Sequence, residues 1–235
     1  MPLLELENVT RRFGGVIALD DVSFSVEQGE IAGLIGPNGA GKTTAFNVIT
    51  RLYKPDSGQI TLDGQSLLST PPHRVIRRGI ARTFQNVELF RTMTVRENVQ
   101  VGVHSGRAAR VGVRDMLEYL ELDRLAERPV EGLPYSTQKR IELARALVSE
   151  PRLLLLDEPA GGLSHEEVER LADFITRTRN RYELTVLLVE HHMNLVMRVS
   201  DSVTVLDFGH RIAAGTPVEV QQDPAVIEAY LGTAD

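Results

Sequence analysis

Cysteine is absent from this chain of 235 residues, which excludes disulfide bonds and thiol chemistry. Long apolar runs are absent as well, because none approaches the ~18 residues that a membrane-spanning helix needs. The longest candidate, LLLL, stops at Asp157. The N-terminus, MPLLELENVTRRFGG, has no basic segment followed by an apolar core, which argues against secretion. We therefore expect a cytoplasmic protein, although the lack of cysteine alone indicates no compartment.

An excess of basic charge is also missing. The formal net charge is −6 and the pI is about 5.6. A protein dedicated to nucleic acid presents a basic face to the phosphates, so we expect no nucleic-acid partner. Hydrophobic residues make up 42% and charged residues 25% of the chain, which is ordinary for a globular protein and sufficient for one sizeable domain.

Strand and helix patterns alternate at both ends of the chain. Residues 3–13 and 18–26 alternate apolar and polar side chains, as half-buried strands do. Residues 30–36 are continuously apolar and end in a glycine-rich turn, which suits a strand buried on both faces. Residues 59–67 are predicted to form a strand and a turn around Asp63 and Gly64. Further strands are predicted at 152–158, 184–190 and 201–208, with helices at 42–50, 165–180, 192–200 and a short pair at 218–232. This alternation predicts an α/β domain with a mostly parallel sheet.

Residues from about 87 to 149 lack the sequence patterns that are typical of strands. Residues 114–129 and 136–149 instead carry apolar residues at helical spacing. We interpret this stretch as a helical subdomain inserted between two halves of one domain. The remainder of that domain then consists of residues 1–86 and 150–235.

The segment after the first buried strand matches the phosphate-binding pattern G-x-x-x-x-G-K-[ST]. Its residues are Gly36, Pro37, Asn38, Gly39, Ala40, Gly41, Lys42 and Thr43, followed by Thr44. Glycines let successive backbone N–H groups point at a phosphate, and the helix that follows adds the positive end of its dipole. We expect Lys42 to reach the β- and γ-phosphates, Thr43 to bind Mg²⁺ and Thr44 to bond the α-phosphate. A glycine-rich turn that binds nothing is the weaker alternative, because this pattern lies between a buried strand and a helix.

Two carboxylates follow the leucine-rich strand. Asp157 would lie at the carboxyl end of a central strand, where ligands of α/β proteins bind. We expect Asp157 to hold Mg²⁺ through water and Glu158 to accept a proton from an attacking water. Alone, LLLLDE would more often be a strand that ends at a solvated acidic turn; the phosphate loop reverses that preference. No base-selecting N-K-x-D segment of the GTPase type is present.

Together these motifs resemble the ATP-binding cassette (ABC) proteins, the nucleotide-binding subunits of ABC transporters. Besides GPNGAGKT and LLLLDEP, the resemblance includes Gln85 in ARTFQN, the segment AGGLS, and His191 in LLVEHHM. It covers essentially the whole chain. It implies a P-loop NTPase fold with a mostly parallel core sheet, an antiparallel β subdomain and an inserted helical subdomain. It also implies that ATP and Mg²⁺ bind and that ATP is hydrolysed.

Individual roles follow from the same resemblance. Phe13 would stack on adenine, although packing within its strand is the alternative. Gln85 would sense the γ-phosphate and Mg²⁺, with a capping or loop glutamine as the alternative. His191 would contact the γ-phosphate and help position water, with Lys42 stabilising charge. His192 and Ser164 stand where the family often has acidic residues, so communication across a dimer at Ser164 is expected to differ.

Residues 133–140, LPYSTQKR, precede a predicted helix. Taken alone they predict a capping loop in which Ser136 or Thr137 caps the helix. The resemblance implies a second role, since this is where the family carries its LSGGQ signature, which acts on the ATP held by a partner subunit. The aligned residues are Leu133, Pro134, Tyr135, Ser136, Thr137 and Gln138. Pro134 and Tyr135 are familiar in branched-chain amino acid importers, whereas Ser136 in place of Gly is the sharper departure.

The segments GIARTFQNVELFRTMTVRENVQVG and GTPVEVQQDPAVIEAYLG are similar to the ATPases of branched-chain amino acid importers. This likeness implies transmembrane permease subunits, a second ATPase that pairs head-to-tail, and an indirect link to a substrate-binding protein. The protein would then be peripheral on the inner face of the membrane. Importers of urea or other amides, exporters, and soluble cassette proteins that remodel DNA or ribosomes remain alternatives.

Overall fold

The structure is a computed structural model that describes residues 2–105 and 111–231. Within these residues the chain forms a mixed α/β fold with two sheets. The strands are β1 (Pro2–Phe13), β2 (Val16–Glu27), β3 (Ile31–Ile35), β4 (Ser57–Leu62), β5 (Gln65–Ser66), β6 (Ile80–Arg82), β7 (Leu153–Asp157), β8 (Thr185–Val189), β9 (Ser202–Asp207) and β10 (His210–Gly215). The predicted α/β class is confirmed.

The larger sheet has the strand order β10-β9-β3-β8-β7-β6 and is parallel except for β10, which runs antiparallel to β9. Every residue of β3, β7 and β8 is buried, which explains why these segments are continuously apolar. Alternate leucines of β7 pack on opposite faces of the sheet. Because the strands are parallel, the segments that follow β3, β7 and β8 meet at one edge.

The smaller sheet is antiparallel, with the order β2-β1-β4-β5. Helix α1 (Lys42–Ile49) lies between the two sheets. Its fully buried Phe46 belongs to a cluster that contains Leu4 and Leu19 of the small sheet and Leu34 and Leu155 of the large one. This packing fixes the helix whose first residue belongs to the phosphate loop.

The remaining helices surround the large sheet. They are α2 (Val95–Ser105), α3 (Val113–Tyr119), α4 (Tyr135–Leu147), α5 (His165–Tyr182), α6 (Met193–Val199), α7 (Pro217–Gln222) and α8 (Pro224–Leu231). Helices α2 and α4 pack closely, since a Cβ atom at Gly102 would lie 2.1 Å from the carbonyl oxygen of Arg145. Among the described helices, none has both the length and the apolar character needed to cross a membrane.

Two details differ from the sequence predictions. The segment 114–129 is not one helix: α3 ends at Tyr119, Glu121 has a left-handed φ of 56°, and a short 3-10 turn (Asp123–Leu125) follows. The strands β6 and β10 had no clear strand pattern, because β6 is only three residues long and β10 is a partly exposed edge. Other short 3-10 turns are Pro72–Arg74 and Ile76–Arg78. The predicted pair of terminal helices is present up to Leu231; residues 106–110 and 232–235 lie outside the described part.

Candidate nucleotide-binding site

The phosphate loop connects β3 to α1 and depends on glycine at two positions. Gly36 and Gly41 have φ values of 150° and 105°. A Cβ atom at Gly36 would lie 2.0 Å from the carbonyl oxygen of Leu206, and one at Gly41 would lie 2.5 Å from that of Ala18. Larger residues are therefore excluded both by conformation and by neighbouring backbone.

Lys42 is the first residue of α1, and its side chain turns back over the loop. Its Nζ donates hydrogen bonds of 2.7 Å to the carbonyl oxygen of Gly36 and 2.9 Å to that of Pro37. Burial lowers the pKa of the Lys42 ammonium, and the nearby charges of Glu158 and Asp157 partly restore it. The ammonium is thus placed between the loop and the two carboxylates that follow β7.

Three further residues of the loop face solvent. Asn38, Gly39 and Thr43 are exposed, while Thr44 is half-buried. Gly41 caps α1 without a side-chain hydrogen bond, so the backbone N–H groups of the first turn are open to a ligand. The loop therefore offers backbone donors, a hydroxyl and an ammonium to a phosphate group.

Asp157, the last residue of β7, forms a buried ion pair that the sequence did not indicate. Arg82 Nη2 donates to Asp157 Oδ2 at 2.6 Å, and the two side chains are 7% and 5% exposed. Arg82 Nη1 also donates to Asn47 Oδ1 of α1 at 2.7 Å. Arg82 engages only one carboxylate oxygen of Asp157. The other carboxylate oxygen and the Thr43 hydroxyl are hard oxygen donors, the type of ligand that Mg²⁺ prefers.

Glu158 lies one residue beyond β7 and adopts a left-handed φ of 46°, a conformation that is uncommon for residues other than glycine. Its backbone N–H donates to the carbonyl oxygen of Val189, so the turn is tied to the end of β8. Its Oε2 accepts a hydrogen bond of 2.8 Å from Gln85 Nε2. The backbone turn therefore aims the carboxylate at Gln85 and away from the strand.

His191 follows β8 and is about half exposed. Its Nδ1 lies 3.8 Å from Glu158 Oε2 and 3.9 Å from Glu190 Oε2. Glu190 is fully buried and accepts three backbone N–H groups, from Ala160, His191 and His192. The Glu190 carboxylate therefore ties the segment after β7 to the segment after β8. The sequence did not single out Glu190, because it looked like the end of a strand.

Phe13 has contacts of a different kind. Its ring lies 5.1 Å from that of Tyr53 in an edge arrangement, and the guanidinium carbon of Arg11 lies 4.5 Å from its centroid. Phe13 and Tyr53 are each 38% exposed. The aromatic surface at the end of β1 is thus open on one side, which is compatible with both hypotheses made for Phe13.

The capping prediction for Ser136 and Thr137 is wrong. Helix α4 begins at Tyr135, directly after Pro134, and no side chain caps it. Pro134 has an extended ψ of 147°, so the helix starts two residues earlier than a Ser136 cap would place it, and both residues fall in its first turn. Ser136 is exposed and Thr137 is buried, while Leu133 is buried and accepts a bond from Gln138 Nε2 at 2.8 Å.

Ser164 has a structural role that its position alone did not reveal. Its side chain accepts from the backbone N–H of Glu167, and the Glu167 carboxylate accepts from the N–H of Ser164. This reciprocal capping box starts α5. The side chain of His192 packs against that of His191, with ring centroids 4.6 Å apart.

The structure therefore joins Lys42, Asp157, Glu158, Gln85 and His191 in one region, with Tyr135 next to Gln85 through a 3.2 Å bond from its hydroxyl to the Gln85 carbonyl oxygen. Sequence reasoning missed Arg82, Lys139, Glu142 and Glu190. The sequence does contain a pattern that could have identified Arg82, because this charged residue directly follows the apolar residues Ile80 and Ala81 of β6.

Comparison with known proteins defines the class. The family model described as ABC transporter matches residues 19–161, and the model described as branched-chain amino acid ATP-binding cassette transporter matches residues 210–235. The chain belongs to the ABC transporter ATP-binding family. It is an ATPase of this family.

Two curated relatives are similar over nearly the whole length. The chain is 42% identical to the high-affinity branched-chain amino acid transport ATP-binding protein BraF of Pseudomonas aeruginosa. It is 44% identical to the protein LivG of Salmonella typhimurium, which carries the same description. In both comparisons the match covers 99% of this chain and 99% of the relative.

Solved structures support the fold. An ATP-binding cassette of an ABC transporter in its ADP conformation has a TM-score of 0.87 at 31% identity, with 99% of each chain covered. A dimeric cassette in a post-hydrolysis state, bound to ADP and Pi, has a TM-score of 0.80 at 26% identity and covers 91% of this chain and 98% of its own. The antiparallel sheet and the mostly parallel sheet are those of this fold.

Proposed function

We propose that this chain is the ATP-hydrolysing subunit of a transporter that imports branched-chain amino acids. The observation that carries the proposal is similarity over the whole chain to BraF and LivG, joined by the match of residues 210–235 to a branched-chain amino acid cassette family. The substrate itself never needs to touch this subunit. The chain instead supplies free energy through nucleotide binding and hydrolysis.

In this proposal the phosphate loop holds the triphosphate. Backbone N–H groups of the loop would surround the β-phosphate, and the Lys42 ammonium would leave the loop carbonyls to contact the β- and γ-phosphates. Thr44 bonds the α-phosphate, and Phe13 stacks on adenine. The buried position of Lys42 supports this assignment, since burial strengthens its attraction for anionic oxygens.

Magnesium is the second cofactor of the proposal. Thr43, Asp157 and Gln85 would hold the ion, with Asp157 acting through water. When bound, Mg²⁺ neutralises charge that develops on the transferred phosphoryl group. Arg82 holds the Asp157 carboxylate in place, because its guanidinium donates to one of the two carboxylate oxygens.

Glu158 is the proposed general base and His191 the residue that positions the attacking water against the γ-phosphate. When water takes the place of the Gln85 amide at Oε2, Glu158 can accept a proton from that water. Gln85 thereby becomes available to the γ-phosphate side of the site. The hydrogen bond between Gln85 and Glu158 thus links the proposed sensor of the γ-phosphate to the proposed general base.

A second cassette would complete each site. The signature residues from Leu133 to Gln138 would contact the γ-phosphate held by the partner, and the exposed Ser136 hydroxyl stands at the start of α4. ATP would close the head-to-tail dimer, and hydrolysis would reopen it. The solved dimeric cassette bound to ADP and Pi supports pairing of this kind. Partner identity, the same chain or a similar one, is an outcome to be measured.

The proposal places the protein at the inner face of the membrane, docked on permease subunits and indirectly served by a substrate-binding protein. The net charge of −6 speaks against nucleic acid as a partner. Residues 1–86 and 150–235 are proposed to bind nucleotide, and residues of about 87–149 are proposed as a helical subdomain that couples the site to the permease.

Purification of the tagged chain from membranes tests the proposal. We expect two hydrophobic permease subunits to co-purify, and we expect a leucine-loaded binding protein to stimulate hydrolysis in proteoliposomes. Glu158→Gln, which keeps the side-chain shape, should form the same complex without turnover. Stimulation by urea or another amide instead of leucine would assign a different import substrate. Reproducible co-purification with DNA or ribosomes would overturn the transporter role.

A further inference from the structure

One face of α4 is fastened to the loop that carries Gln85. Tyr135, Lys139 and Glu142 recur at i, i+4 and i+7, so they lie on the same side of the helix. All three contact residues 84–88. The helix that begins at the signature segment therefore bonds directly to a loop of the same chain's catalytic site.

Glu142 anchors the two ends of this loop. It is 1% exposed, and its Oε1 accepts from the backbone N–H groups of Phe84 at 3.3 Å and Glu88 at 3.4 Å. Arg145 Nη2 lies 3.8 Å from the same oxygen. The segment from Phe84 to Glu88 is thereby held against α4 at both sides of Gln85.

Lys139 contacts both catalytic segments. Its Nζ donates to the carbonyl oxygen of Gln85 at 3.1 Å and lies 3.5 Å from the carbonyl oxygen of Glu158. The Tyr135 hydroxyl donates to the same Gln85 oxygen, and the Lys139 ammonium lies 5.5 Å from the centroid of the Tyr135 ring. The Gln85 side chain in turn donates to the Glu158 carboxylate. Lys139 thus bridges the backbones of two residues whose side chains are bonded to each other.

We propose that Lys139 is a positioning residue for hydrolysis, which holds the Gln85 loop and the Glu158 turn in register with the signature helix. The proposal deepens the function proposed above and rests on it, since it assumes that Gln85 and Glu158 act on the γ-phosphate. Lys139 does not touch the phosphates. A displacement of α4 reaches Gln85 and Glu158 through this ammonium and the Tyr135 hydroxyl.

Steady-state hydrolysis by the intact protein or its complex tests the proposal with three variants. Lys139→Met keeps an unbranched side chain of similar length but removes the ammonium. We expect kcat to fall by about tenfold to a hundredfold, because Glu158 and Gln85 are then misplaced. KM for ATP and the melting temperature should stay unchanged. Lys139→Arg, which restores a cationic donor, should recover most of the lost kcat.

Arg140→Met is the matched control. Arg140 is the next residue of α4 but faces Leu120 and Glu121. We expect its kcat to equal that of the wild type. Equal kcat in Lys139→Met and Arg140→Met would overturn the proposal, as would a loss in Lys139→Met that Lys139→Arg does not recover at all.

A second measurement does not need hydrolysis. Amide hydrogen exchange of a peptide that covers residues 84–88 should become faster in Lys139→Met than in Arg140→Met, because the loop loses one of its bonds to α4. Identical exchange in the two variants would overturn the positioning role. Failure of leucine to stimulate the wild-type complex would instead contradict only the proposed substrate, so the two failures are distinguishable.

Discussion

The guanidinium of Arg82 donates a 2.6 Å hydrogen bond to the carboxylate of Asp157, although 75 residues separate them in the sequence. The pair joins the end of β6 to the end of β7, and Asn47 connects it to α1. The Arg82 side chain is close to two aromatic rings, with its guanidinium carbon 5.4 Å from the centroid of Phe46 and 5.0 Å from that of Phe84. The aspartate that we propose as a Mg²⁺ ligand is therefore already paired with a cation of the protein itself.

Replacement of Arg82 by Met should lower the free energy of unfolding by about 3–5 kcal/mol, because it leaves Asp157 buried without its partner. Urea unfolding followed by circular dichroism measures the change. Arg114→Met is the control, since Arg114 pairs with Glu118 on an exposed surface and its loss should leave stability unchanged. Equal stability of the two variants would show that the buried pair contributes nothing.

Phe13→Ala should weaken ATP binding by about tenfold, because stacking of a base on an aromatic ring is worth roughly 1–3 kcal/mol. Phe13→Tyr keeps a ring and should bind ATP as the wild type does. Titration with a fluorescent ATP analogue measures both. If Phe13→Ala binds ATP normally, the ring serves only in packing, which was the alternative considered for Phe13; its observed contacts are with Arg11 and Tyr53.

Ser136→Ala distinguishes a cap from a phosphate ligand. Loss of a capping side chain would lower stability by about 1 kcal/mol. Because Ser136 lies in the first turn of α4 and caps nothing, we expect an unchanged melting temperature. Cooperative ATP hydrolysis should fall by about tenfold, as a hydrogen bond to a charged group contributes roughly 1.5–3 kcal/mol.

Ser136→Gly serves as the companion variant, since it restores the residue usual in the family signature. If both variants keep cooperative hydrolysis, the Ser136 side chain is dispensable and the backbone of the signature segment alone contacts the partner's nucleotide. A lower melting temperature in Ser136→Ala would contradict the observed start of α4.

The stability of the protein should depend on pH through Glu142. Burial raises the pKa of its carboxyl above the ordinary 4.5, and bonds from Glu88 and Phe84 with the charges of Arg145 and Lys139 offset this only in part. Between about pH 4.5 and the raised native pKa, the native state therefore binds more protons than the unfolded chain, so stability falls as the pH rises through that window.

Glu142→Gln isolates this effect, because an amide oxygen can still accept the two backbone N–H groups but does not titrate. Urea unfolding at several pH values should show the wild type losing stability relative to Glu142→Gln as the pH rises above about 4.5. A difference that stays constant with pH would contradict a raised pKa at this position.

The fold could be predicted because its signals are local. Continuous apolar segments became the buried strands β3, β7 and β8, and the alternating segments became β1 and β2. The phosphate loop was equally local, since its glycines, lysine and threonine are adjacent in the sequence. Short edge elements such as β6 carry too few residues for a period to emerge.

The connections between elements could not be predicted in the same way. Arg82 meets Asp157, Lys139 meets Gln85, and Glu142 meets Phe84 across long stretches of chain. Such contacts depend on how strands order themselves in the sheet and on how α4 packs against it, which no short pattern encodes. The start of α4 was misjudged for a related reason: capping preferences favour Ser136, whereas Pro134 and the contact of Tyr135 with Gln85 place the helix start earlier.

Uptake of labelled leucine by cells that carry Glu158→Gln in place of the wild-type chain tests the central claim most directly. The claim is that hydrolysis at this site powers import of branched-chain amino acids. The account predicts that leucine uptake is lost at normal abundance of the protein while uptake of labelled urea is unchanged. Undiminished leucine uptake would contradict it.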